Sequence, residues 1–182
     1  MGNICIVLGG RRSGKSDYAQ ALGEKLPGRR VFIATCPVLD DEMSMRIKKH
    51  QDARKASNWE TVEEPLNLAS AILDATVYPV VLIDCLTIWI NNLMYEAQKI
   101  DVAISEELIQ EKCRELITSC RTHSGSTIMV TNETGMGIVP DNEQARLFLD
   151  LVGRCNQIMC GDADHIALVV SGQPLIIKRG PF

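Results

Sequence analysis

No two cysteines in this 182-residue chain stand at C-x-x-C spacing, so the pattern offers no zinc site. The seven that exist, at 5, 36, 85, 113, 120, 155 and 160, are odd in number and scattered. That rules out a disulfide framework and suits a reducing cytosol. No stretch reaches the ~18 uninterrupted apolar residues of a membrane span; Pro79 to Ile90 comes nearest and is broken by Asp84. A basic excess is also missing. Lys and Arg number 19 against 23 Asp and Glu, a net charge of −4, which leaves nothing to displace counterions from nucleic acid. Met1-Gly2 would suit myristoylation, but Ile6 stands where Ser or Thr is required. No targeting segment, internal repeat, low-complexity tract or linker is expected. What remains is the expectation of a cytoplasmic globule, one domain over residues 1–182, burying roughly 70% of its unfolded surface.

Against that plain background one stretch stands out. Val7-Leu8-Gly9-Gly10-Arg11-Arg12-Ser13-Gly14-Lys15-Ser16 follows an apolar run, and Gly9, Gly14, Lys15 and Ser16 fit G-x-x-x-x-G-K-[ST]. Such a loop wraps backbone N–H groups around a phosphate, so Gly9 and Gly14 must reach φ values that a Cβ resists. Lys15 supplies charge to the β- and γ-phosphates, the Ser16 hydroxyl suits Mg²⁺, and the following helix points its positive end at the same anion. A plain turn has no need of the Gly14-Lys15-Ser16 ending, so the chain is expected to bind a nucleoside triphosphate.

The flanking pattern alternates. Strands are expected near residues 3–8, 30–34, 59–62, 79–84, 127–131, 165–170 and 175–178, with Gly172-Gln173-Pro174 turning into the last. Helices are expected from Asp17, over 41–55, 66–75, 86–97, 105–122 and 142–163. Their inward stripes are expected to be Tyr18, Ala21 and Leu22; Leu66, Ala69, Ile72 and Leu73; and Leu108, Ile109, Leu116 and Ile117. This is an α/β, phosphate-loop NTPase-like fold: a mostly parallel sheet with helices on both faces and an antiparallel C-terminal edge strand.

Asp84 ends the clearest buried strand, where a phosphate-loop enzyme keeps a carboxylate for Mg²⁺; it also suits a helix cap. His50 would share a helical stripe with Arg46 and Arg54, four residues either side. Neighbouring cations favour neutral imidazole, the nucleophilic form, and guanidinium groups hold phosphate. An exposed histidine on a charged helix remains the simpler reading of that spacing. Glu63 and Glu64 could meet a ribose or guanine, or favour the next helix start. Thr131 to Gly137 follows a strand at the edge where ligands sit in open α/β sheets.

Together these residues resemble the adenosylcobinamide kinase/adenosylcobinamide-phosphate guanylyltransferase family of cobalamin biosynthesis. The resemblance runs through residues 9–16, Phe32 to Thr35, Asp40 to Met43, Arg46-Ile47, His50, Thr61 to Pro65, Asp84 to Thr87 and Asn92-Leu93. It continues in Val130 to Glu133, Gly135 to Pro140, Asn156-Gln157 and Val169 to Gly172. Nothing is carried over to Tyr95–Ser126. The resemblance implies two reactions: a nucleoside triphosphate phosphorylates adenosylcobinamide, then GTP gives GMP to adenosylcobinamide phosphate through a GMP–histidine at His50. Adenosylcobinamide-GDP and pyrophosphate are the products. It implies nucleotide contacts from Gly9, Gly10, Arg11, Arg12, Ser13, Gly14, Lys15, Ser16, Ile33, Ala34, Thr35, Gln51, Asp52, Ala53, Arg54, Glu63 and Asp84. GTP, with ATP as the other candidate phosphate donor, would be co-substrate, Mg²⁺ would sit at Ser16 and Asp84, and subunits would assemble as a homotrimer. The alternatives are a phosphate-loop kinase without guanylyl transfer and a non-catalytic GTP-binding switch.

Overall fold

The structure, a computed structural model, describes residues 1–36 and 58–182. The expected helix over 41–55 lies outside the described residues. β1 (Asn3–Gly9), β2 (Arg30–Ala34), β3 (Trp59–Glu63), β4 (Val80–Asp84), β5 (Ser126–Asn132), β6 (His165–Val170) and β7 (Gln173–Lys178) form one sheet in the order β3-β2-β4-β5-β1-β6-β7. The first six strands are parallel; β7 runs antiparallel to β6 at the edge, as expected.

The pleat divides the core in two. Cys5, Val7, Phe32, Leu82, Ile128 and Val130 face α1 (Lys15–Lys25). Ile4, Ile6, Ile33, Val81, Ile83 and Met129 face the opposite layer. There lie α2 (Leu68–Asp74), α3 (Leu86–Lys99), α4 (Glu106–Thr122) and α5 (Glu143–Asp162).

Two expected stripes are corrected. On α1 the buried residues are Ala19, Leu22 and Gly23, whereas Ala21 is exposed. The rotation is set by Trp59, because a Cβ on Gly23 would come within 2.8 Å of the indole Cη2. On the second helix Leu68 and Ile72 are buried and Leu73 is exposed. That helix begins late because the Glu64 carboxylate accepts from Leu66 N and Asn67 N, both at 2.8 Å. On α4, Ile109, Leu116 and Ile117 are buried as expected, while Leu108 is only half-buried.

The last hairpin turns tighter than Gly172-Gln173-Pro174 suggests. Val170 pairs with Gln173, so Ser171 and Gly172 alone make the loop. Both have positive φ, 50° and 79°, as a turn matching the strand twist requires. Pro174 is tolerated in β7 because that strand is an edge.

The amino edge of the sheet is locked by one ion pair. Asp164 accepts from Ile4 N at 2.8 Å and from Arg121 Nη1 at 2.6 Å, and Arg121 Nη1 also donates to Gly2 O at 2.9 Å. Burial alone would raise the Asp164 pKa, but the Arg121 hydrogen bond, the Ile4 N–H and nearby positive charge outweigh it and leave it lowered. Asp164→Asn is expected to cost about 1–3 kcal/mol at pH 7. A carboxyl held below its unfolded value stabilises fully above about pH 4–5 and loses that contribution as pH falls. Thermal melts should show the variant's deficit at pH 7 shrinking towards pH 3; a constant deficit would argue against the charge.

Candidate active site

At the carboxyl edge of the sheet, β1 runs directly into the glycine-rich loop. Gly9 is sterically required: a Cβ there would meet Val169 O at 2.7 Å and collide with the Ser13 hydroxyl. Gly14 is conformationally required, with φ of 88° at the N-cap of α1. Arg12 also has positive φ, 58°, and the Arg11 and Arg12 side chains are exposed. Ser13 N donates to Gly10 O at 3.2 Å and closes the loop. Lys15 folds back over it, Nζ donating to Gly10 O at 3.3 Å, rather than standing free in solvent. Ser16 is the second residue of α1, and the open N–H groups of that helix face the loop.

Strand register brings further candidates alongside. Ala34 pairs with Asp84, Asp84 with Val130, and Gly9 with Asn132. By alternation from Phe32, Leu82, Val130 and Val7, the residues Ala34, Asp84, Asn132 and Gly9 share the face that α1 covers. Asp84 does not occupy the cap position it could have filled: the N-cap of α3 is Cys85. Burial first, then the Asp84 charge, pushes the Cys85 thiol up to about 12, and Lys15 opposes them.

The loops beyond β2 and β4 are fastened together. The Thr35 hydroxyl accepts from Cys85 N at 2.7 Å and donates to Cys85 O at 2.9 Å. Asn92 Nδ2 of α3 donates to Thr35 O at 2.8 Å and Pro65 O at 3.0 Å. Ile33 is buried below this junction, and Glu63 ends β3 opposite Ala34 with its side chain exposed. It is Glu64, not Glu63, that serves the helix start. His50, Gln51, Asp52, Ala53 and Arg54 lie outside the described residues.

Sequence reading assigned no role to the residues that fix this edge. Asn92 and Asn156 are polar side chains among buried apolar positions of α3 and α5, and that mismatch was the available signal. Ser171-Gly172 is another: Gly172 N donates to Ser13 O at 2.7 Å, so the last hairpin braces the phosphate loop. The Cα of Gly172 lies 3.2 Å from where a Gly14 Cβ would stand.

The other two histidines are placed elsewhere. His123 is buried, its Nδ1 accepting from Gly125 N at 3.1 Å and its Nε2 lying 3.3 Å from Ala75 O. His165 begins β6, opposite Cys5, and accepts from Gly180 N at 3.2 Å. Four residues of strand, about 13 Å, separate its level from that of Gly9.

A parallel sheet whose first strand delivers a glycine loop and lysine to a helix N-terminus defines a phosphate-loop NTPase-like α/β protein. Across 72% of the chain and 39% of the relative, it is 25% identical to RecA of Kineococcus radiotolerans. A far more specific match is the family described as cobinamide kinase / cobinamide phosphate guanyltransferase, over residues 5–177. The chain belongs to this family. It is 40% identical to the bifunctional adenosylcobalamin biosynthesis protein CobU of Salmonella typhimurium, covering 96% of this chain and 99% of that one. To the bifunctional protein CobP of Pseudomonas aeruginosa it is 36% identical, covering 97% and 98%.

Proposed function

We propose that this chain phosphorylates the hydroxyl of adenosylcobinamide with GTP or ATP, then transfers GMP from GTP to adenosylcobinamide phosphate through a phosphoramidate on His50. The observation that carries the reading is the separation of functions across the sheet. Gly9, Lys15 and Asp84 converge on one edge, while His123 and His165 are held by backbone partners at the other. Of the three histidines, His123 and His165 lie away from the loop edge, which supports His50 as the nucleophile that the family resemblance implies.

The loop N–H groups, Lys15 and the α1 N-terminus would hold the phosphates and spread the charge that builds on them. Arg11 and Arg12 are exposed beside the loop to neutralise the remainder. Ser16 and Asp84 would hold Mg²⁺, and the donor set fits. Mg²⁺ is commonly held by one or two protein oxygens with substrate phosphates and water completing its shell, and Asp84 shares the face of α1. When bound, the ion would neutralise phosphate charge. Asp84→Asn should therefore raise the Mg²⁺ concentration needed for half-maximal turnover by about tenfold or more. The N–H cradle would leave nucleotide affinity little changed. An unaltered Mg²⁺ titration would remove Asp84 from the metal.

We extend the proposal to the homotrimer that the family resemblance implies; light scattering of the purified chain reads it directly. No described helix is long and apolar enough to cross a membrane. The test of the whole reading is intact-mass spectrometry after incubation with GTP and Mg²⁺. A covalent GMP adduct supports the transferase, whereas phosphorylation of the corrinoid without an adduct would leave a kinase alone.

A further inference from the structure

The backbone of Asn132 is held on both sides, while its side-chain oxygen is left over. Its N–H donates to Thr87 Oγ1 at 2.7 Å, and its carbonyl accepts from Asn156 Nδ2 at 3.0 Å. The acceptor and donor are themselves fixed, since Thr131 Oγ1 donates to Asn156 Oδ1 at 2.7 Å and lies 3.3 Å from Thr87 Oγ1. The next residue continues the lock, with Glu133 N donating to Gly9 O at 3.1 Å. Three helical and strand elements thus set the Asn132 backbone, yet its side-chain Oδ1 is buried with no hydrogen-bond partner.

The location of that atom gives it meaning. Asn132 is registered opposite Gly9, and β5 lies between the loop-bearing β1 and the Asp84-bearing β4. Its side chain belongs to the row that faces α1. The Ser13 hydroxyl, also buried and unpartnered, borders the same Gly9. Two orphaned polar atoms therefore bracket the first glycine of the phosphate loop. A hydroxyl can donate to a phosphate oxygen, as Ser13 would. An amide oxygen cannot bind phosphate; it needs a donor. The nucleotide carries its own donors on ribose and base, away from its γ-phosphate; in a kinase the accepting alcohol is the reactant that brings one beside it.

We propose that Asn132 orients the substrate hydroxyl in the phosphoryl-transfer step, a role that rests on the kinase reading above. Its Oδ1 accepts the hydroxyl hydrogen, which turns an oxygen lone pair towards the γ-phosphorus. The alcohol oxygen then bonds to that phosphorus as the bond to the β,γ-bridging oxygen breaks, and the nucleoside diphosphate leaves. The hydroxyl proton passes to the transferred phosphoryl group and then to solvent, because a neutral amide orients without taking it. Rigid support of the backbone matters here, since in-line attack tolerates little misplacement.

The test uses the full-length protein with adenosylcobinamide and nucleoside triphosphate. Asn132→Ala should lower kcat for corrinoid phosphorylation by about 10–100-fold. Nucleotide KM and the yield of GMP adduct from GTP should stay within about twofold. Thermal stability should not fall, because the lost oxygen has no partner in the fold. Asn132→Asp keeps an acceptor and should recover part of the rate. Unchanged kcat in Asn132→Ala would overturn the assignment. So would equal losses in nucleotide KM, adduct yield and kcat, which would place Asn132 on the nucleotide. If the wild-type chain itself leaves the hydroxyl unphosphorylated while forming the adduct, the kinase reading fails and this one with it.

Discussion

His50→Ala is expected to abolish both the covalent GMP adduct and guanylyl transfer while leaving phosphorylation of the cobinamide hydroxyl within about threefold. The two steps make different demands. Guanylyl transfer through an intermediate needs a ring nitrogen with a lone pair to attack the α-phosphorus and expel pyrophosphate. Phosphorylation of an alcohol needs no protein nucleophile, only positioning and electrostatic support. For the same reason, adduct formation should fall at acid pH, where imidazolium has no lone pair to offer. His50→Ala, assayed by intact mass with GTP and by phosphorylation with labelled γ-phosphate, separates the two. An undiminished adduct would exclude His50, and the placements of His123 and His165 leave neither beside the phosphate loop.

Lys15→Ala has the opposite profile. Both reactions should fall by at least about 10²-fold, the scale of removing one preorganised charge contact from a phosphoryl transition state. The fold should survive. Among the described residues Lys15 Nζ donates to the Gly10 carbonyl at 3.3 Å in an exposed bond, so its loss is a small structural cost. Circular dichroism and melting should match wild type. Normal rates in both assays would sink the assignment of the loop to nucleotide.

Much of this architecture was legible in the sequence, because the signals were long or chemically specific. Pro79 to Asp84 reads as a buried strand from its unbroken apolar run, and the glycines at 9 and 14 announce a loop that the structure shows they are needed for. The helix stripes were less legible. Tyr18, Ala21 and Leu22 satisfy the helical period as well as Ala19, Leu22 and Gly23 do. The choice between them is made by Trp59, a residue of another strand that no local pattern connects to α1. Leu73 was misassigned for a related reason: Glu64 and Pro65 delay the helix, and its short length lets few residues reach the sheet. At the site, the loop and Asp84 were visible as motifs. Thr87, Asn92 and Asn156 entered only through the family resemblance and without a role, because their work is to bond atoms distant in sequence, and such partners leave no spacing to read.

The bond from Gly172 to Ser13, and the position of β1 between β5 and β6, also bear on the order in which the molecule can be made. The strand that carries the phosphate loop leaves the ribosome ahead of the other six, and both of its sheet neighbours are synthesised long afterwards. Closing so wide a gap along the chain carries an entropic cost that only the finished sheet offsets. During translation the glycines of the loop would wait without any neighbouring strand until β5 emerged, and with one side still open until the β6–β7 hairpin followed. Competence to hold a nucleotide would then arrive late and all at once rather than growing with chain length.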